Sequence, residues 1–187
     1  MNPLSDNELM IKVKSGDIAR LGLLFERHNK SLFGFFYRTT QQVELSEDLV
    51  QNVFEKILKN RNQFKGYGKF TTWMFSIAHN EMVDYFKKNK RMTFSQLDDY
   101  YTDRAFTTPS SFELEVKIEE LKTLETAFEK LDTEKRQILA LNKCDELSFR
   151  EIGEIMNCSE GNARIKVFRA LQELRSIYQN LEKQLVS

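Results

Sequence analysis

A chain of 187 residues, 41% of them apolar, is long enough for one or two compact cores. Two prolines and seven glycines, none in a phosphate-loop pattern, together with long periodic stretches and few strand signals, predict an all-α protein. The two cysteines, Cys144 and Cys158, form no CxxC pair and the histidines do not cluster, so neither a disulfide framework nor a zinc site is indicated and no cofactor is expected.

The first residues, MNPLSDNELMIKVK, lack an apolar signal core, and no run of about 18 apolar residues occurs, so a cytoplasmic location is expected. The formal net charge is zero but unevenly spread. Residues 1–92 carry 15 Lys and Arg against 10 Asp and Glu, residues 93–135 carry 5 against 11, and residues 136–187 carry 8 against 7. A basic block joined to an acidic middle suits a chain whose nucleic-acid affinity is held down while it is alone; a solvated acidic helix is the alternative.

In chain order, helices are expected near 5–15, 17–41, 46–60 and 70–91, with Ser46 and Asp48 starting the third and the Lys65-Gly66-Tyr67-Gly68 turn preceding the fourth. The fourth, FTTWMFSIAHNEMVDYFKKNKR, is the most informative. Phe70, Trp73, Met74, Ile77 and Ala78 line one face, while Thr72, Ser76, Asn80, Val83, Lys87 and Lys90 form a mostly polar stripe. Aromatic rings on which bases stack, lysines that follow phosphates and an amide that reads a base edge are the equipment of a single-strand reader. Phe75, Met82 and Phe86 share a third face and read as core.

Residues 93–112 lose helical periodicity and collect Thr, Ser, Asp and Pro109, the composition of a flexible linker between two small helical domains, 1–92 and 113–187. Beyond it, helices are expected near 113–131, 133–144, 148–156 and 159–182. Ser148 and Glu151 form a capping-box pattern, Asn157-Cys158 a turn, and Ser159 an N-cap. Ala163, Val167, Ala170, Leu174 and Leu181 fall on the buried side of the last helix, leaving Asn162, Arg164, Ile165, Lys166 and Arg169 exposed near its start. This pattern reads as a helix-turn-helix whose second helix would enter the major groove, with Gly153 letting the two helices cross closely; an ordinary helical hairpin with solvated arginines is the alternative.

Taken together, these segments resemble the sigma factors of bacterial RNA polymerase, in particular the small extracytoplasmic-function (ECF) group of the sigma-70 family. Ser46-Glu-Asp-Leu-Val-Gln-Asn-Val-Phe54 is similar to the family's A-E-D-L-V-Q-E-x-F stretch in region 2. Phe70-Thr-Thr-Trp73, Ile77-Ala-His-Asn80 and Asp84-Tyr-Phe-Lys87 resemble F-x-T-W-L, I-A-x-N and D-x-x-R, and Leu147–Met156 with Gly161–Ala170 resembles region 4. The resemblance implies partners: core RNA polymerase, promoter DNA as upstream duplex and downstream single strand, and an anti-sigma factor as a candidate.

It also implies roles. Asp48, Gln51, Phe54 and Glu55 would dock on core polymerase, with Asn52 standing where the family usually has Glu. Phe64, Lys69, Thr72, Trp73, Ser76, Asn80, Lys87, Lys90 and Arg91 would contact the downstream element, the loop from Phe64 to Phe70 and the helix after it holding a flipped non-template base. Asn162, Arg164, Ile165, Lys166 and Arg169 would read the upstream element; Asn162 and Ile165 depart from the family's Thr and small polar residue, so sequence preference does not carry over. No enzymatic activity is implied. A helix-turn-helix regulator that binds closed duplex as a dimer is the alternative, and a metal hydrolase using His28 or His79 a distant third.

Overall fold

The computed structural model describes residues 4–92, 112–143 and 147–185, which contain α-helices and no strand. The first unit holds α1 (Asp6–Lys14), α2 (Arg20–Thr40), α3 (Val43–Lys59), a 3-10 turn (Arg61–Gln63) and α4 (Phe70–Met92). The second holds α5 (Phe112–Glu129), α6 (Thr133–Asn142), α7 (Phe149–Ile155) and α8 (Glu160–Leu185). Cys144 and residues 93–111 of the linker expected between the units lie outside the described residues, while Phe112, expected as the last linker residue, opens α5. No helix among the described residues is long and apolar enough to cross a membrane.

Several helix starts follow from side chains that satisfy the otherwise unpaired first N–H groups. At α1 the Ser5 hydroxyl accepts from the Glu8 N–H while the Glu8 carboxylate accepts the Ser5 N–H at 2.7 Å, a reciprocal box. Asp132 accepts from the Lys135 N–H at 2.9 Å to start α6. Helix α3 departs from expectation: it begins at Val43, a turn earlier than predicted, behind Gln42 with no side-chain cap. Gln41, at φ 58°, ends α2 in the left-handed region, so the connection is only two residues long. Ser46 is therefore buried inside α3, its hydroxyl donating to the Gln42 carbonyl, and caps nothing.

The first unit closes around α2, whose Leu24, Leu32, Phe35 and Phe36 are fully buried against Val53 and Ile57 of α3 and Met74 and Met82 of α4. Phe35 meets Phe36 and Phe75 edge-on at 5.2 and 5.8 Å. Burying each such ring contributes about 1.5–3 kcal/mol. Asp6 ties α1 to α2 by accepting from Arg27 at 2.7 Å and pairing with His28 at 2.6 Å, so His28 has a structural partner.

In the second unit Ile138, Leu141, Ile152, Ile155, Ala163, Val167 and Ala170 form the core. Asn157, at φ 52°, turns the chain between α7 and α8, and Ser159 accepts the Asn162 N–H at 3.2 Å as N-cap. Gly153 is needed at the crossing: a Cβ there would lie 2.7 Å from the Cys158 carbonyl oxygen. The units also touch, α2 against α6 and α4 against α7.

Candidate nucleic-acid interface

The loop entering α4 is held at both ends and open in the middle. Phe64 and Phe70 are 2% and 1% exposed and clasp the half-buried Trp73, with ring centroids 5.3 and 6.3 Å from it. Between them Gly66 and Gly68 both take φ 77°, a conformation glycine adopts without strain, and Tyr67 stands 88% exposed. Lysine occupies the position before Phe70, so α4 has no capping side chain of its own there. Asn7 of α1 supplies one instead: its Oδ1 accepts the Phe70 N–H at 2.7 Å and its Nδ2 donates to the Gly68 carbonyl at 2.8 Å. Lys14 donates to the Phe64 carbonyl at 2.7 Å.

The predicted polar stripe of α4 is graded. Thr72 is 8% exposed, Ser76 is half-buried with its hydroxyl donating to the Thr72 carbonyl, and Asn80 and Lys87 are exposed. The side chains of Lys90 and Arg91 lie outside the described residues. Phe64 and Trp73 thus build the wall behind the loop, while Lys69, Asn80 and Lys87 offer accessible polar groups.

One carboxylate joins this surface to the helix-turn-helix. Glu151 uses Oε2 to accept the Ser148 N–H and hydroxyl, at 2.8 and 2.7 Å, completing the capping box of α7. Its Oε1 accepts from the Thr72 hydroxyl at 3.1 Å and pairs with Lys69 at 3.3 Å. Burial alone would raise its pKa, but the Ser148 hydrogen bonds, then those from Lys69 and Thr72, outweigh it and hold the group below the ordinary carboxylate value. Nearby, His79 of α4 faces Gln137, Glu134 and Lys166; burial lowers its pKa, countered in part by the Gln137 hydrogen bond.

On α8, Asn162, Arg164, Ile165 and Arg169 are exposed as expected. Arg164 lies over the Phe149 ring at 5.1 Å and pairs with Glu160 at 3.3 Å. Lys166 differs from its predicted exposure: it is half-buried and bonded to Glu134 of α6, which raises its pKa. On α3, Asp48, Gln51 and Glu55 form an exposed row with Asn52 beside it. Phe54 does not share that face; it is 6% exposed and packs edge-on against Phe25 at 5.0 Å, so it supports the row from below.

The residues that sequence reasoning missed are Asn7 and Lys14, and the second role of Glu151. No local signal marks the first two, because their partners lie 50 to 63 positions away. For Glu151 the capping box is visible in the sequence, but its outward oxygen is not.

Residues 24–92 match the family described as Sigma-70 region 2, and residues 121–174 match Sigma-70, region 4. RNA polymerase sigma factor CarQ of Myxococcus xanthus is 30% identical over 161 residues, covering 85% of this chain and 89% of that protein. ECF RNA polymerase sigma factor SigW of Bacillus subtilis is 28% identical over 193 residues, covering 93% and 100%. Among solved structures, CnrH in complex with the cytosolic domain of CnrY is similar at a TM-score of 0.67 and 21% identity, covering 94% of this chain and 97% of that one. The sigma factor RpoE of Bartonella quintana, in complex with the anti-sigma factor NepR, gives 0.68 at 18% identity, covering 84% and 96%. At these identities the structural likeness is one of fold.

Proposed function

The chain belongs to the sigma-70 family of RNA polymerase sigma factors, in its ECF group, and from that premise we propose that it binds core RNA polymerase and directs promoter recognition, opening and initiation. The observation that carries this reading is the ordered presence of both family regions on one chain that matches its relatives over most of their length. We assign residues 1–92 to the region 2 domain and 113–187 to region 4, with 93–112 as the linker.

The proposed mechanism is positioning and strand capture without covalent chemistry, so the protein has no catalytic role of its own and works in the cytoplasm beside the polymerase. The α3 row Asp48, Gln51 and Glu55 docks on core polymerase, held at its angle by buried Phe54. Exposed Asn162, Arg164, Ile165 and Arg169 at the start of α8 meet the upstream duplex, where the N-terminal turns of a recognition helix reach base edges. Downstream, Lys69, Lys87, Lys90 and Arg91 follow the non-template backbone, and Asn80, whose amide both donates and accepts, reads an unpaired base edge. Thr72, Ser76, Phe64 and Trp73 shape the site. Unstacking a base costs a few kcal/mol, which capture in the loop offsets.

In the free chain Glu151 occupies Lys69 and Thr72, and Glu134 occupies Lys166. These pairs fit a DNA affinity held down until polymerase separates the units. An anti-sigma factor is a further proposed partner. Co-elution with core polymerase, followed by footprinting, tests the reading: a footprint that requires polymerase and has no dyad supports it. A palindromic footprint by the chain alone would favour the dimeric regulator.

A further inference from the structure

Helix α1 lies before the matched region 2 residues 24–92, yet it makes side-chain contacts to both ends of the loop assigned above to base capture. Asn7, Ile11 and Lys14 are spaced i, i+4, i+7, which puts them on one face of a helix and spreads them over about 10 Å of axis. The capping box at Ser5 fixes where that helix starts, and so fixes the height of each residue in the stripe.

The loop runs antiparallel above the stripe. Asn7 holds Gly68 and Phe70, Ile11 lies beneath Gly66 with its Cδ1 3.7 Å from where a Cβ would stand, and Lys14 holds Phe64. Each contact falls on backbone: two carbonyls, one N–H and a glycine. A backbone with two left-handed glycines has many alternatives, and these contacts select one. Contacts that read no loop side chain, and that leave Lys65 and Tyr67 exposed, suit a template for shape.

We propose that α1 is the template of the strand-capture loop, with Asn7 and Lys14 as positioning residues that preset it to receive the flipped non-template base. This rests on the base-capture reading of the loop. Preorganisation of this kind raises affinity by removing the cost of ordering the loop at the moment of binding. Asn7 acts through the loop and does not touch DNA.

The test uses the full chain in complex with core polymerase and a fork-junction probe, a duplex upstream segment ending in single-stranded non-template downstream element. Single abasic sites are placed in turn along that strand. The wild-type complex should lose affinity at one abasic position. Asn7→Ala should weaken binding to the intact probe by roughly tenfold, as expected for losing two hydrogen bonds of ordinary net strength. It should lose little more when the sensitive base is removed, because the loop no longer captures it.

If Asn7→Ala keeps the wild-type affinity, or weakens binding while retaining full sensitivity at that position, the template role is overturned and base capture stands. If the wild-type complex shows no sensitive position, base capture itself fails and the template role with it. Lys14→Met keeps the aliphatic stem and removes the donor to Phe64. It should show the same loss of sensitivity with a fall of roughly threefold, and it decides the matter if Asn7→Ala does not fold.

Discussion

Gly153→Ala tests the helix crossing that sets the surface proposed to read the upstream element. The added Cβ would stand 2.7 Å from the Cys158 carbonyl oxygen and 3.3 Å from both the Glu160 nitrogen and the Ser159 carbonyl carbon. All three are backbone atoms, so no side-chain rotation relieves them, and the start of α8 must retreat by roughly half an ångström to regain van der Waals distance. Overpacking of this kind costs about 1–3 kcal/mol, and the better helix propensity of alanine returns up to about 1 kcal/mol. The net loss corresponds to several degrees of melting temperature at about 2–4 °C per kcal/mol for a chain of this size. Thermal unfolding and upstream duplex binding should both report it, since Asn162 and Ile165 ride on the displaced turn. Gly22→Ala, where a Cβ meets nothing within 4 Å, serves as control and should leave stability equal or slightly higher. A Gly153→Ala chain that melts with wild type and binds duplex equally would refute the close crossing.

Replacing both Asp48 and Gln51 by Ala should weaken core association in native gels without unfolding, because both side chains are exposed; unchanged retention would move the docking face elsewhere. Glu151→Gln removes the charge facing Lys69, which is 58% exposed, so the contact between units should weaken by no more than about 1 kcal/mol. The free chain should then bind a downstream single-stranded oligonucleotide about two- to fivefold more tightly. Glu154→Gln, which faces Arg150 instead, should not reproduce that gain, and an equal gain in both would leave only general charge removal. His79 gives the pH dependence. Its folded pKa lies below the ordinary 6.5, so its contribution to stability is complete above about pH 6.5 and is lost as pH falls from there toward the folded value. His79→Gln should flatten the wild-type stability curve in that window, and parallel curves would count against the burial argument.

Helices that announce themselves through local chemistry were legible in the sequence. The 3.6-residue pattern placed α4 within one residue, and Ser148, Asn157 and Ser159 marked the helix-turn-helix because capping and left-handed turns depend on near neighbours. Ser46 misled because a serine followed by acids reads as a cap wherever it stands, and only the two-residue connection after Gln41 shows that the helix had already begun. Phe54, which closes a family motif, and Phe64, expected to contact the downstream element, both point into the core, a distinction that depends on what packs above them. Lys166 is expected among the exposed residues of α8 from its helical angle, but Glu134, 32 residues earlier, takes it. The Asn7 contacts span more than 60 residues and leave no periodic trace.

Run-off transcription with purified core polymerase on a genomic promoter library, comparing the wild-type chain with Asn80→Ala, separates promoter opening by this chain from mere duplex binding. Specific transcripts are expected only when the wild-type chain is added. With Asn80→Ala, slower permanganate-detected melting and less product on duplex templates are expected, with part of the activity recovered on a pre-melted bubble because the unstacking cost has already been met. Specific initiation absent with the wild-type chain on every template, or an Asn80→Ala chain that opens duplex promoters at the wild-type rate with core affinity intact, would contradict the proposed function.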